Sequence, residues 1–460
     1  MGGPRKEKIH DRDCRLVFCI FILYGCGALF PQPYFALVLC RGFRSLDRGS
    51  YGTDGRGAAF CVSSCVCFFT VDHRSGRKEE KVKLQLDKGR RYGIVLEGGG
   101  ARGAYQIGAW KALKEAGIQI QGAAGTSVGA LNGALICMDE FETAEKIWEN
   151  IRYSQVMDVD DKKMEALREW NLKNGTAVRL SDLLNGVKRL LKEGGFDITP
   201  LRELIRGAID EEKIRTSDRD LYTVTYSLTE HQPLVVDIKE VPPGQICDML
   251  MASAYLIGFK PEKLGGKYYM DGARVNNVPV DVLIDRGYED IIVLRIYGYG
   301  VDTERRLQVP DGVRLYHVAP RQELGGILEF DRKKARRNML LGYFDAMRML
   351  YGLEGRIYYL DAPESEEYYF NRLMAEVLEL MDWCGMGAEH TENKEGGSLR
   401  IYMEELFPRL AAKLGLKEKW DYRQLYFSLL EEAAKKYRVS RFRIYTPDQL
   451  LTVLRRRSWR

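Results

Sequence analysis

Two short motifs in the first half of the chain hold residues that could carry out acyl transfer. The first is a glycine loop made of Gly98, Gly99, Gly100, Ala101, Arg102 and Gly103. The second is a G-x-S-x-G sequence in which Gly125, Thr126, Val128 and Gly129 surround Ser127. A glycine loop can present backbone N–H groups to a charged oxygen, and a G-x-S-x-G turn lifts a serine hydroxyl out of a sheet. The two motifs therefore predict an oxyanion hole and a nucleophile.

A serine nucleophile also needs a base that takes its proton, and Asp271 is the best candidate. Asp271 follows a Tyr-Tyr-Met strand and precedes Gly272 and Ala273, so its carboxylate would project from a strand end onto a tight turn. Active sites of α/β proteins gather at the carboxyl edge of the sheet. An Asp-Gly pair is more often only a turn, so the spacing alone leaves both interpretations open.

A histidine could serve as the base instead. His317 is the best placed of the five histidines, because the order Ser127, Asp271, His317 matches the order of the triad in α/β-hydrolases. A Ser-Asp-His carboxylesterase is therefore an alternative. Against it, His317 lies within the apolar sequence Leu-Tyr-His-Val-Ala, which is typical of a buried strand, and we expect a core histidine there.

The glycine spacing also fits a loop that binds a dinucleotide. That interpretation requires an acidic residue at the end of the second strand, about 20 residues further on. Here the second strand ends with Gly122, Ala123 and Ala124 and continues into the serine motif. Dinucleotide binding is therefore disfavoured.

The hydrophobic pattern from Arg91 onward predicts an α/β fold with a twisted, largely parallel sheet. Strands are expected at 92–96, 118–124, 221–227, 234–238, 291–296 and 314–317, and helices at 104–116, 128–138, 140–152, 180–192, 199–209, 244–255 and 278–286. We take 90–300 as the catalytic domain. Further helices are expected at 329–351, 367–384, 397–414, 421–437 and 446–457, with a flexible break at 385–397. We interpret 321–460 as a helical C-terminal domain or cap.

The first 82 residues differ in composition from the rest. Residues 1–90 carry 16 Lys and Arg against 9 Asp and Glu, and the other 370 residues have a net charge of −2, which argues against a nucleic-acid partner. An apolar run at 16–30 follows a basic start and resembles an export signal or a membrane anchor. We favour a third interpretation, a stretch translated from upstream of the true start. We expect a cytoplasmic protein if 1–82 is not part of the working protein, and a membrane-anchored or exported one otherwise.

No metal site is expected in this sequence. Cys61, Cys65 and Cys67 are spaced like half of a metal knuckle, but no matching ligand pair follows them. The C-terminal Arg455, Arg456 and Arg457 are typical of a solvated helix end, and peripheral contact with a membrane surface is the alternative.

The separated motifs resemble the patatin-like phospholipase family over about residues 92–296. They are the glycine loop, the G-x-S-x-G sequence and the Asp271–Ala273 box, in that order, together with the segment 252–261. Two positions depart from the family pattern: Glu97 stands where many members have Asp, and Ile257 replaces a common proline.

The resemblance implies a patatin-like three-layer fold and a Ser127–Asp271 dyad without a histidine. It also implies hydrolysis of lipid esters, of the phospholipase A or lysophospholipase type, through an acyl-serine intermediate and without a metal or organic cofactor. The expected partner is a lipid or another acyl ester. A patatin-like scaffold that binds without catalysis is the remaining alternative.

Overall fold

The computed structural model describes residues 83–165, 195–256, 258–387 and 398–458. The leader at 1–82, the helix expected at 180–192, Ile257 and most of the break at 385–397 lie outside the described residues. The expectations on domain limits and localisation that depend on these segments remain predictions.

A mixed sheet with mostly parallel strands forms the centre of the fold. Its strands are β1 (Arg91–Leu96), β2 (Gln119–Thr126), β3 (Asp220–Ser227), β4 (Gln232–Asp237), β5 (Tyr269–Asp271), β6 (Asp290–Leu294) and β7 (Arg314–Val318). The spatial order is β4-β3-β2-β1-β6-β7, in which β4 is antiparallel to β3 and all other neighbours are parallel. The short β5 pairs with β3 in the antiparallel sense. The expected α/β class is confirmed.

Helices cover both faces of the sheet, which gives three layers. They are α1 (Ala104–Glu115), α2 (Val128–Cys137), α3 (Phe141–Asn150), α4 (Thr199–Ala208), α5 (Glu211–Thr216), α6 (Ile246–Ser253) and α7 (Val280–Ile284). Alternate residues of a strand point to opposite faces. Accordingly, Ile94 and Leu96 of β1 pack in one core with Ile107 of α1, whereas Val95 packs in a second core with Leu283 of α7.

The pairing of β3 brings two distant parts of the chain together. Val224 of β3 is opposite Thr126, the last residue of β2, and the next residue, Thr225, is opposite Asp271 of β5. β5 therefore continues along the edge of β3 from the point where β2 ends. Because Ser127 directly follows β2, it lies beside Asp271.

The C-terminal region is helical, as expected. It contains α8 (Arg332–Tyr351), α9 (Glu366–Cys384), α10 (Ser398–Ile401), α11 (Phe407–Lys413), α12 (Tyr422–Lys436) and α13 (Pro447–Ser458), with the short strands β8 (Tyr359–Leu360) and β9 (Ile444–Tyr445). Helices α9, α11, α12 and α13 have a core of their own. In contrast, Leu341, Ala346 and Leu350 of α8 belong to the core of the sheet, so α8 packs against the layers of the sheet region.

A buried polar cluster connects α8 to both regions. The carboxylate of Asp345 accepts hydrogen bonds from Tyr105 Oη of α1 (3.0 Å) and Tyr359 Oη of β8 (3.1 Å), and it pairs with Arg348 Nη1 at 2.7 Å. Arg348 also donates to the carbonyl of Tyr358. The two cores are thus joined by hydrogen-bonded groups that have little access to water.

The last arginines are partly engaged within the fold. Arg455 pairs with Glu379, and Arg457 donates to the carbonyls of Tyr437 and Arg438. Within the described parts of the chain, no helix has the length and apolar character needed to cross a bilayer. Peripheral membrane contact remains a prediction.

Candidate active site

Ser127 occupies a sharp turn between β2 and α2. Its backbone has φ 56° and ψ −126°, a conformation that costs a non-glycine residue about 1–3 kcal/mol and is common at functional sites. The turn requires glycine on both sides. A Cβ atom at Gly129 would lie 2.1 Å from the carbonyl oxygen of Leu96, and one at Gly125 would lie 2.3 Å from that of Gly129. The backbone therefore makes the sharp strand-to-helix turn that a nucleophile elbow requires.

The hydroxyl of Ser127 contacts the carboxylate of Asp271 directly. Ser127 Oγ donates to Asp271 Oδ2 at 2.6 Å, and the other carboxylate oxygen accepts the backbone N–H of Ala273 at 2.8 Å. The exposed fractions of Ser127 and Asp271 are 4% and 5%. Both carboxylate oxygens of Asp271 thus accept hydrogen bonds, Oδ2 from the serine hydroxyl and Oδ1 from the backbone.

Burial changes the acidity of this carboxyl group. Desolvation raises the pKa of Asp271 from its ordinary value of 3.8 to about 6, against the opposing effect of the hydrogen bonds from Ser127 and Ala273. A carboxylate with a pKa near 6 accepts a proton more readily than an ordinary aspartate and is still ionised at neutral pH. This protonation behaviour suits a general base.

A second serine holds the backbone of the elbow in place. The N–H of Ser127 donates to Ser253 Oγ at 3.0 Å, and Ser253 Oγ donates to the carbonyl of Val224 at 2.6 Å. Ser253 is fully buried at the end of α6. Sequence reasoning noted the surrounding Ala-Ser-Ala segment but assigned no role to this serine, because its hydrogen-bond partners are Ser127 and Val224 of β3, which are distant in sequence.

Part of the glycine loop is already hydrogen-bonded. The N–H of Gly98 donates to the carbonyl of Asn277 (3.2 Å), and Asn277 Nδ2 donates back to the carbonyl of Gly98 (3.1 Å). The N–H of Ala101 donates to the carbonyl of Ile327 at 2.7 Å. These two loop N–H groups are therefore not available to a ligand. Sequence reasoning missed Asn277, although it lies only a few residues after Asp271.

Three other N–H groups near Ser127 are free, whereas the N–H of Arg102 donates to the carbonyl of Gly99 and Gly103 ends a 3-10 turn. Within the described residues, the N–H groups of Gly99, Gly100 and Val128 have no acceptor. Free donors at a loop and at the first residue of a helix are the arrangement that stabilises an oxyanion.

The Asn277→Ala variant tests whether the loop position matters for turnover. It removes the Nδ2 donor that holds Gly98, and a shift of about 1 Å in a catalytic loop can cost about 10²-fold in rate. We expect kcat to fall by up to that factor with little change in KM. Asn150→Ala is the control, because Asn150 also donates from Nδ2 to a backbone carbonyl but is an exposed residue at the end of α3. Equal kcat losses in the two variants would contradict a positioning role for Asn277.

Two charged side chains fix the outer side of the glycine loop. Arg102 donates to the carbonyls of Gly325 (2.7 Å), Ile296 (3.3 Å) and Tyr297. Glu97, which is buried, accepts the N–H groups of the segment 296–298 and pairs with Arg295 at 3.0 Å. Burial raises the pKa of Glu97. Glu97, which stands where many family members have Asp, therefore holds the neighbouring segment 296–298 in place.

An apolar cavity opens beside Ser127. Its empty space is about 750 Å³, counted out to its open mouth. Ser127, Val128 and Gly100 lie in its wall, which brings the candidate nucleophile and two free N–H groups to one cavity. The remaining wall is almost entirely hydrophobic and includes Leu131, Leu135, Ile147, Trp148, Ile151, Val156, Leu201, Leu204, Ile205, Ala208, Ile209, Ala254, Leu256, Phe259 and Phe330. Such a wall suits a hydrocarbon chain.

His317 is not part of this site. It lies on β7, separated from β2 by β1 and β6, which at about 4.8 Å per strand is roughly 14 Å away. Its Nε2 contacts Glu304, and its side chain is 44% exposed. The expectation of a buried core histidine is therefore wrong, because β7 is the edge strand of the sheet. The structure does not assemble the Ser-Asp-His alternative.

Known proteins with similar sequences share the region that contains this site. Residues 94–284 match the family model of patatin-like phospholipases. Neuropathy target esterase sws of Drosophila melanogaster is 29% identical over 213 residues, which are 45% of this chain and 13% of that protein. Lysophospholipase nte1 of Aspergillus terreus is 61% identical over 51 residues, 11% of this chain and 3% of that protein.

These matches cover only a small part of the relatives. The chain spans less than one-sixth of the length of either protein. Among solved structures, VipD from Legionella pneumophila is 14% identical and aligns over 80% of this chain and 87% of its own, with a TM-score of 0.33.

Proposed function

Because the chain contains a patatin-like phospholipase domain, at residues 94–284, we propose that it hydrolyses lipid esters with Ser127 as nucleophile and Asp271 as its base. The reaction would be of the phospholipase A or lysophospholipase type. The names of two relatives, an esterase and a lysophospholipase, support this substrate class. The apolar cavity beside Ser127 supports it independently, since it suits an acyl chain.

The 2.6 Å hydrogen bond from Ser127 Oγ to Asp271 Oδ2 carries the proposal. As Oγ forms a bond to the ester carbonyl carbon, Asp271 takes the hydroxyl proton. The carbon–oxygen bond to the alcohol then breaks, and the proton on Asp271 passes to the departing alkoxide. A water molecule attacks the acyl-serine in the same way, with Asp271 again as the base, and releases the fatty acid and the free serine.

Each tetrahedral intermediate carries a negative oxygen that needs donors already in place. The free N–H groups of Gly99, Gly100 and Val128 are the candidates for this role. Removal of one such donor typically raises the barrier by about 3–4 kcal/mol. The glycine loop therefore has a catalytic role in the proposal, and Gly98, Ala101, Arg102 and Gly103 shape it.

The experiment is hydrolysis of short and long p-nitrophenyl esters and of a lysophospholipid by native protein and the Ser127→Ala variant. We expect the variant to lose at least about 10³-fold in kcat with unchanged circular dichroism, because it lacks the hydroxyl that forms the proposed acyl-enzyme. Ser440→Ala, which changes an exposed serine in another region, is the control and should keep native activity.

The outcomes separate the alternatives. Native turnover that persists in Ser127→Ala would contradict the proposed nucleophile. A folded native protein that hydrolyses none of these substrates would favour a scaffold that binds without catalysis. A higher kcat/KM for long esters than for short ones would support the apolar cavity as the acyl site.

A further inference from the structure

A second, polar cleft adjoins the apolar cavity. Ile151 and Phe330 line both of them, so the two spaces share part of their walls. The ring of Phe330 packs against Tyr153 at 6.2 Å in an edge-on contact. Tyr153 is buried and also lines the cleft. The wall that the two spaces share at Phe330 is therefore a packed part of the fold.

Five cationic side chains, all of them exposed, line this cleft beside four acidic ones. Arg152, Lys162, Arg332, Lys333 and Arg336 all line it. Arg332 and Arg336 are four residues apart in α8 and so face the same side of the helix. Among the described residues, the side chains of Lys162, Arg332, Lys333 and Arg336 have no hydrogen bond and no ion pair. Their charges are available to an anion.

Three of the four carboxylates of the cleft have other partners. Asp161 accepts the N–H and the hydroxyl of Ser154, at 3.0 and 2.7 Å. Asp160 and Asp331 each accept backbone N–H groups as helix-capping residues. Glu165 is the fourth acidic residue of the lining. Asp160, Asp161 and Asp331 thus take part in local turns.

We infer that this cleft binds the phosphate group of a phospholipid whose acyl chain lies in the adjoining apolar cavity. The inference rests on the proposed function, because it takes the cavity to be the acyl site. A single-chain lipid with a phosphate suits two adjoining spaces of this kind, one apolar and one cationic. Arginine binds phosphate oxygens with paired, charge-assisted hydrogen bonds, so Arg332 and Arg336 are the specificity-determining residues.

Binding of two amphiphiles that the protein cannot hydrolyse tests this inference. Dodecyl phosphate and 1-O-dodecylglycerol have the same chain length but differ in charge, and both are titrated as monomers by calorimetry. We expect native protein to bind dodecyl phosphate about tenfold more tightly, since a hydrogen bond to a charged group contributes about that factor. The double variant Arg332→Ala/Arg336→Ala should lose this preference and bind dodecylglycerol as the native protein does.

Arg409→Ala is the control, because Arg409 is an exposed arginine of α11 away from the cleft lining. Three results would overturn the inference. The first is a phosphate preference that survives in the double variant. The second is an equal loss of affinity for both amphiphiles in that variant. The third is displacement of dodecyl phosphate by an equal concentration of inorganic phosphate, which would indicate a free-anion site. Binding is measured without turnover, so failure of the proposed hydrolysis is recognised separately.

Discussion

Replacement of Asp271 by asparagine is expected to lower kcat for ester hydrolysis by about 10⁴-fold while the protein remains folded. Asparagine has almost the same shape, and its Oδ1 can still accept the N–H of Ala273. It cannot take the proton of Ser127, so the attack on the ester loses its base. Steady-state kinetics with a p-nitrophenyl ester measure the loss, and circular dichroism checks the fold. Near-native turnover in this variant would mean that another group is the base.

The pH profile gives a second test of the same group. Because the carboxylate form of Asp271 is the active one and its pKa is raised to about 6, kcat/KM of the native protein should rise with pH and level off above about 6. The residual activity of Asp271→Asn should lack this rise. A native profile that is flat between pH 5 and 8 would contradict the assignment.

The raised pKa also predicts how stability depends on pH. In the folded state Asp271 binds its proton more tightly than the ordinary value of 3.8 allows, so its contribution to stability is largest below pH 3.8 and is lost as pH rises through about 6. Above pH 6 the ionised, buried carboxylate costs about 3 kcal/mol. Asp271→Asn, which stays neutral, should therefore gain stability relative to native protein at pH 8 but not at pH 4. Urea unfolding at the two pH values measures this difference.

Alanine at Gly108 is expected to destabilise the fold by about 3 kcal/mol, the upper part of the range for overpacking. A Cβ atom at Gly108 of α1 would lie 1.8 Å from the carbonyl oxygen of Met339 in α8. The same close approach occurs at Gly342, where a Cβ atom would lie 1.8 Å from the carbonyl oxygen of Tyr105. Both helices would have to move apart, and the core between them would open. Urea denaturation should show a lowered midpoint for either variant.

Gly207→Ala is the matched control for these glycine substitutions. Gly207 is an exposed residue of α4, and nothing lies within 4 Å of the position of its Cβ. Alanine there should stabilise the protein by about 0.5–1 kcal/mol through the lower entropy of the unfolded chain. An unchanged midpoint in Gly108→Ala would contradict the close packing of α1 against α8.

The local motifs of the site could be predicted from the sequence because their chemistry is local. Turn geometry requires the glycines that flank Ser127, and those residues lie within four positions of one another along the chain. The strand before the elbow and the helix after it follow from hydrophobic periodicity. Asp271 could be singled out only as a residue at a strand end, since its distance from Ser127 depends on the pairing of β5 with β3.

The missed residues depend on contacts between elements that are far apart in sequence. Ser253 is defined by its contacts with Ser127 and with Val224 of β3, and Asn277 by its contact with Gly98. The periodicity of α8 indicates a helix but not its partner, so its place in the core of the sheet could not be inferred. His317 looked buried because its neighbours are apolar, and only the strand order identifies β7 as an edge.

The most direct test of the central claim is mass spectrometry of the protein after reaction with a fluorophosphonate, which phosphonylates an activated serine. We predict one added phosphonyl group on the native protein, located by peptide mapping at Ser127. The label should be absent from Ser127→Ala and formed much more slowly in Asp271→Asn, because Asp271 activates the hydroxyl. A single label on another serine, or labelling of Asp271→Asn at the native rate, would contradict the Ser127–Asp271 dyad.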